Sequence, residues 1–167
     1  MHIDKVKTYL LLGSNLGDRE LYLENALKLI QEKVGNIFAK SAVYETAAWG
    51  KTDQPGFLNL AVGVTTLLTP TALLETVLSI EKLLGRIRHE KWGSRLIDID
   101  IILYGDQVIK IGDELQIPHV EMQHRKFVMQ PLAEIAPDVI HPILGQRVSE
   151  ILESLTDSLS VSKKPSV

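Results

Sequence analysis

Asp98 and Asp100 stand two residues apart in a run of β-branched and aliphatic residues from Leu96 to Tyr104. In an extended chain that spacing puts both carboxylates on one face, with Cα atoms roughly 6.5 to 7 Å apart. Such a pair suits hard divalent ions about 3.5 to 4 Å apart, of the kind that hold polyphosphates. Just upstream, Arg86, Arg88, Lys91 and Arg95 are opposed only by Glu90. Guanidinium forks beside metal-binding carboxylates are what a metal-bound nucleoside triphosphate requires. Trp92, in the same Gly-containing stretch, offers a flat face to stack on a purine or to cover a closing site. The same residues also fit a plain amphipathic strand beside a solvated basic loop, or a tryptophan packed in the core.

A second group has the chemistry of heterocycle recognition. In the run that starts at Phe57, Phe57, Asn59 and Ala61 point one way while Leu58, Leu60, Val62 and Val64 point the other. The aliphatic set belongs to the core, which leaves a ring and an amide side by side on the opposite face, suited to stacking on a planar heterocycle and reading its edge. An ordinary turn aromatic is the simpler use of Phe57. Further along, Pro118-His119 and Arg125-Lys126-Phe127 can supply a neutral donor, a phosphate clamp and a second stacking ring. The histidines show no zinc spacing, so His2 and His141 are expected to be surface or structural. Gly13 to Asp18 lacks the Gly-Lys-Ser/Thr ending of a P-loop and reads as a turn and helix cap.

These residues need a scaffold, and the periodicity supplies one. Val6 to Leu12 reads as a strand that stops at turn formers, with Asp18 placed as an N-cap. Leu23, Ala26, Leu27, Ile30 and Val34 then recur at helical spacing, predicting a helix over 19–34 that Gly35-Asn36 stops. Ile37 to Thr46 and Phe57 to Leu67 read as two strands that pair antiparallel across a Gly- and Pro-containing loop. Thr69-Pro70 opens a helix over 70–84, lined by Leu73, Leu74, Val77, Ile80 and Leu84. In the last strand, Leu96 to Tyr104, Ile97, Ile99, Ile101 and Leu103 are expected on the buried side and the aspartates on the other. The order β-α-β-β-α-β is the split βαβ plan, an α+β antiparallel sheet with helices packed on it. Val148, Ile151, Leu152 and Leu155 predict additional C-terminal helices.

With 167 residues, 18 Lys+Arg, 21 Asp+Glu and no cysteine, the chain is expected to be one domain over 1–161 with a disordered tail over 162–167. The missing cysteines exclude a disulfide scaffold, a thiolate nucleophile and Cys-ligated metals. A net charge of -3 argues against non-specific binding to nucleic acid. No apolar run approaches the ~20 residues that span a bilayer, and the opening residues lack a signal-peptide pattern, so the expected location is cytoplasmic and the expected state a monomer.

Several short motifs in order carry a resemblance across nearly the whole chain. They are Leu-Gly-Ser-Asn-Leu-Gly-Asp, Val-Tyr-Glu-Thr, Asp-Gln-Pro-x-Phe-Leu-Asn, Arg-x-Arg, Lys-Trp-Gly-x-Arg-x-x-Asp-x-Asp, Ile-Pro-His and Pro-Leu-x-Glu-Ile-Ala-Pro. In that combination the sequence resembles the 6-hydroxymethyl-7,8-dihydropterin pyrophosphokinases of folate biosynthesis. The resemblance implies a ferredoxin-like fold and transfer of the β,γ-diphosphate of ATP to the pterin hydroxymethyl group, with release of AMP. Carried over by position, it implies that Asp98 and Asp100 ligate two Mg²⁺ ions and that Arg86 and Arg95 stabilise charge on the transferring phosphate. Arg88, Trp92, His119 and Arg125 would contact ATP or close over it, with Glu81 also at the nucleotide site. Phe57 and Phe127 would sandwich the pterin, while Asn59 and the backbone around Thr46 would bond its edge. Many members carry proline after that threonine; here Ala47-Ala48-Trp49-Gly50 follows, which predicts a looser loop. Paired aspartates on such a sheet also suit a metal-dependent nucleotidyltransferase, which releases pyrophosphate rather than AMP, or a non-catalytic module that binds a small ligand.

Overall fold

The computed structural model describes residues 5–15, 17–46, 56–85, 97–155 and 161–163. Strand β1 (Val6–Ser14) runs through the middle of a six-stranded sheet, buried on both faces from Thr8 onward. Helix α1 (Arg19–Lys33) follows, and the Asp18 side chain accepts from the backbone N–H of Leu21, as its N-cap position predicts. The chain then passes directly into β2 (Gly35–Lys40), β3 (Tyr44–Thr46) and β4 (Phe57–Thr66). Helix α2 (Pro70–Leu83) is capped by Thr69, whose hydroxyl accepts from Ala72 N–H, and β5 (Asp98–Tyr104) closes the split βαβ unit. The sheet order β5-β1-β4-β3-β8, with β2 also on β4, is the expected α+β arrangement, and every pairing is antiparallel.

The expected strand over 37–46 is two strands, because Ser41 leaves the ladder. Its hydroxyl accepts from Ala61 N–H at 2.9 Å and donates to the Ala42 carbonyl at 2.7 Å, while Ala42 N–H turns to the Glu134 carboxylate. The amphipathic reading of β4 holds: Leu58, Leu60, Val62 and Val64 pack with Leu10, Leu12, Leu23, Ile30, Leu73 and Ile80 under α1 and α2. The other face carries Leu11 and Ala61 and is covered by α3 (Lys126–Ile135) and α4 (Val148–Ser154) through Val128, Met129, Leu132, Val148 and Ile151. Helices therefore sandwich the sheet.

One expectation about β5 fails. Ile99 and Ile101 lie in the core under α1 and α2, but Leu103 packs on the α3 side with Tyr9. The ladder shifts register between Tyr9 and Leu10, which pair with Leu103 and Ile101, so the extra residue reverses the facing of all that follows. Two small elements were not anticipated. A hairpin of β6 (Ile109–Ile111) and β7 (Leu115–Ile117) turns at Gly112, whose φ of 52° favours glycine, and buries Leu115 and Ile117. Strand β8 (Val161–Lys163) pairs with β3 from Thr46–Val161 to Tyr44–Lys163. The tail expected from Ser162 therefore contributes its first two residues to the sheet, where they cover an otherwise open strand edge.

Candidate functional site

The site is built around β5, the outermost strand on its side of the sheet. Asp98 and Asp100 are both partly exposed and alternate with buried Ile99 and Ile101, as their spacing requires. Both carboxylates line a cavity of about 620 Å³ together with Phe57, Glu81 and His119. Leu74 and Leu78 of α2 form an apolar wall, and Asp113 and Gln116 of the β6–β7 hairpin contribute polar groups. Neither the hairpin nor that wall was anticipated, since three-residue strands such as Ile-Lys-Ile and Leu-Gln-Ile show too little alternation to read.

Glu81 is almost fully buried on α2, and its Oε2 accepts from the backbone N–H of Ile99 at 2.7 Å. That N–H lies between the two aspartates on an outer strand. The bond therefore fixes the stretch of backbone from which both carboxylates project. His119 is held by its backbone, whose N–H donates to the Ile102 carbonyl at 3.0 Å. Its Nδ1 accepts from Glu121 N–H at 3.2 Å, so the neutral ring carries its proton on Nε2. Burial pushes the His119 pKa down, against the opposing pull of the Glu121 and Asp98 carboxylates. A neutral imidazole donor beside a carboxylate pair results.

Across the sheet, one row of paired residues links this acidic edge to the second group. Asp98 faces Gly13 on β1, Gly13 faces Asn59 on β4, and Asn59 faces Tyr44 on β3. A Cβ on Gly13 would sit 2.9 Å from Asn59 Nδ2 and 3.9 Å from Phe57 Cδ1, so the missing side chain keeps that space open. The turn expected from Gly13 onward begins later, because Gly13 and Ser14 continue β1 in register with Asn59 and Leu58. Asn59 Nδ2 donates to the Leu12 carbonyl at 3.5 Å, but its Oδ1 and the Thr46 Oγ1 are buried without a hydrogen-bond partner among the described residues. Thr46 is paired with Phe57 at the end of the β3–β4 ladder. Two orphaned acceptors beside an aromatic ring form a surface that a planar donor-bearing ligand would satisfy.

Phe127 packs against the core on the α3 side, and the Arg125 guanidinium lies 4.8 Å from its ring centroid. Neither is among the described residues that line the 620 Å³ cavity. Arg86, Arg88, Trp92 and Arg95 lie outside the described residues, as do Ala47-Ala48-Trp49-Gly50. His141 is buried, and its Nδ1 accepts from the N–H groups of Ile143 and Leu144, the structural role expected for it.

A carboxylate pair and a neutral imidazole thus share one cleft at the edge of a ferredoxin-like α+β sheet. Residues 9–137 match the family model described as 7,8-dihydro-6-hydroxymethylpterin-pyrophosphokinase (HPPK). A relative from Methylorubrum extorquens is 47% identical over 154 residues, covering 91% of this chain and 95% of its own. One from Aquifex aeolicus is 44% identical over 142 residues, covering 85% and 88%. Both are named 2-amino-4-hydroxy-6-hydroxymethyldihydropteridine pyrophosphokinase. The chain belongs to the HPPK family and is a pyrophosphokinase, a transferase of folate biosynthesis. Its fold matches that of Plasmodium falciparum HPPK-DHPS solved with pteroate, with a TM-score of 0.74 over 92% of this chain at 21% identity. This chain spans 43% of that one. Among the described residues no helix is long and apolar enough to cross a membrane.

Proposed function

We propose that this chain transfers the β,γ-diphosphate of ATP to the hydroxymethyl group of 6-hydroxymethyl-7,8-dihydropterin. The observation that carries the reading is the single row Asp98, Gly13, Asn59: it sets a carboxylate pair and a polar surface with unpartnered acceptors on either side of one intervening strand. Phosphate chemistry at one end and heterocycle recognition at the other is the arrangement this transfer needs.

The donor set at the edge strand fits Mg²⁺, which binds through one or two carboxylates and completes its shell with substrate phosphates and water. Asp98 and Asp100 would hold two Mg²⁺, whose contribution when bound is to neutralise the phosphate oxygens. Phe57 and Phe127 stack the pterin while Asn59 and the Thr46 region bond its edge. His119, through its Nε2 proton, holds ATP together with Arg88, Trp92 and Arg125. Glu81 belongs to the same half, where one of its oxygens orders β5. Arg86 and Arg95 stabilise the charge on the transferred group.

The hydroxymethyl oxygen attacks the β-phosphorus in line, its bond to phosphorus forms as the bond to the α,β-bridging oxygen breaks, and AMP leaves with that oxygen. The hydroxyl proton passes to solvent, and no covalent enzyme intermediate is required. Positioning and charge stabilisation supply the acceleration. Incubation with ATP, Mg²⁺ and the dihydropterin, followed by chromatography of the nucleotides, tests the reading. AMP formed only when pterin and metal are both present supports it. Pyrophosphate release in place of AMP would identify a nucleotidyltransferase, and no turnover by the folded protein would identify a binding module.

A further inference from the structure

We propose that Arg19 is a positioning residue for the pterin half of the site, holding together the two strand ends that carry Thr46 and Phe57. The inference rests on the pterin-binding reading above. Arg19 is the first residue of α1, where a cation opposes the helix dipole and gains nothing from the helix itself. Its side chain instead crosses to the sheet. Nη1 lies 2.8 Å from Glu45 Oε2 and 2.7 Å from the Gly56 carbonyl oxygen, so one nitrogen donates one N–H to each.

Those two partners sit at a decisive place. Glu45 immediately precedes Thr46 on β3, Gly56 immediately precedes Phe57 on β4, and Thr46–Phe57 is the last pair of that ladder. A ladder end is where strand pairing opens most easily. Recognition of a rigid heterocycle needs its contacts held to within about 0.5 Å. The Arg19 side chain is only 22% exposed and that of Glu45 38%, so the pair is partly shielded from water. A lysine ammonium could meet the charge of Glu45 and has donors enough for both acceptors, but its stem is one bond shorter and does not carry the nitrogen to the place of Nη1. The same clamp leaves the acidic edge strand untouched, so its loss should separate pterin from ATP.

The test compares wild type, Arg19→Ala and Arg19→Lys by initial rates against each substrate, and by calorimetric titration of 6-hydroxymethylpterin in the presence of Mg²⁺ and α,β-methylene-ATP. Loss of two charge-assisted bonds predicts a pterin KM and Kd raised about tenfold in Arg19→Ala, with ATP KM and kcat within about twofold of wild type. Arg19→Lys should fall between. Equal rises in both KM values, a fall in kcat alone, or no change overturns the proposal. If Arg19→Ala does not fold, Glu45→Gln gives the deciding ratio, because it removes the charge partner and leaves the Gly56 bond. A wild-type protein that binds pterin without forming AMP would refute the diphosphate-transfer reading alone, and the titrations would still decide the role of Arg19. Wild-type protein that binds no pterin overturns both.

Discussion

At the scale of single residues, the site depends on one atom that is absent. Alanine at position 13 would place its Cβ 2.9 Å from Asn59 Nδ2, a contact that real Cβ atoms essentially never make. Among the described residues the amide N–H is held only by a 3.5 Å bond to the Leu12 carbonyl, so it is the group that gives way. Gly13→Ala is therefore expected to raise the pterin KM by about tenfold or more, the loss of one well-placed hydrogen bond and part of a stacking surface, while ATP KM stays near wild type. Steady-state kinetics against each substrate check this; equal effects on both would move Gly13 from the pterin surface to the general packing of β1. Arg95, which the proposed reaction sets at the phosphate end, is the complementary case. A guanidinium that meets charge developing in the transition state should contribute to turnover and little to folding. Arg95→Ala is expected to lower kcat by roughly 10² to 10³ with an unchanged melting temperature, and unchanged turnover would remove it from the catalytic set.

At the scale of elements, the joint between α2 and β5 orders the backbone that carries Asp98 and Asp100. The buried Glu81 carboxylate takes up the Ile99 N–H, which sits between Asp98 and Asp100. Replacing it with methionine leaves that N–H unsatisfied and is expected to destabilise the fold by about 1–3 kcal/mol, while glutamine, which keeps an acceptor, loses less. Urea unfolding of both variants measures the difference; equal losses would assign the effect to the charge instead of the bond. The same scale shows what was legible in the sequence. Both long helices, their Asp18 and Thr69 caps and the facing of β4 follow from period and cap chemistry, which act within a few residues. Asp98 with Asp100, and Phe57 with Asn59, were legible for the same reason, since each pair shares a strand. The facing of Leu103 was not, because the bulge that reverses it belongs to the pairing of β5 with β1. Strands β6, β7 and β8 are too short to show a period, and β8 pairs with β3, which is distant in the chain. Gly13 sits beside Asn59 only once β1 and β4 are in register. Thr46 and Glu81 entered through family resemblance, as neither has a local pattern that marks it.

At the scale of the whole molecule, the buried His141 and the half-buried His119 make stability depend on pH in a direction opposite to that of net charge. The chain carries -3 at neutral pH, and acidification toward its isoelectric point near 5.9 reduces self-repulsion. Charge alone therefore predicts equal or greater stability at mildly acidic pH. Burial, however, pushes the pKa of both His119 and His141 below the ordinary value of 6.5. As pH falls through 6.5 the unfolded chain takes up protons at these positions before the folded chain does, and folding is disfavoured. The stabilisation is complete above 6.5 and is lost as pH drops toward the folded-state values. At His141 the cause is visible: Nδ1 accepts from the N–H groups of Ile143 and Leu144, while Nε2 is buried without a partner among the described residues. The free energy of unfolding is thus expected to be flat from pH 8 to about 6.5 and to fall between about 6.5 and 5.5, above the range where unperturbed carboxylates titrate. His141→Asn keeps an acceptor for the two N–H groups and removes the titration, so it should flatten part of that fall. Denaturant unfolding at half-unit pH steps makes the measurement. A curve that rises toward pH 5.5, or that His141→Asn leaves unaltered, would give net charge the larger role and remove His141 from the pH response.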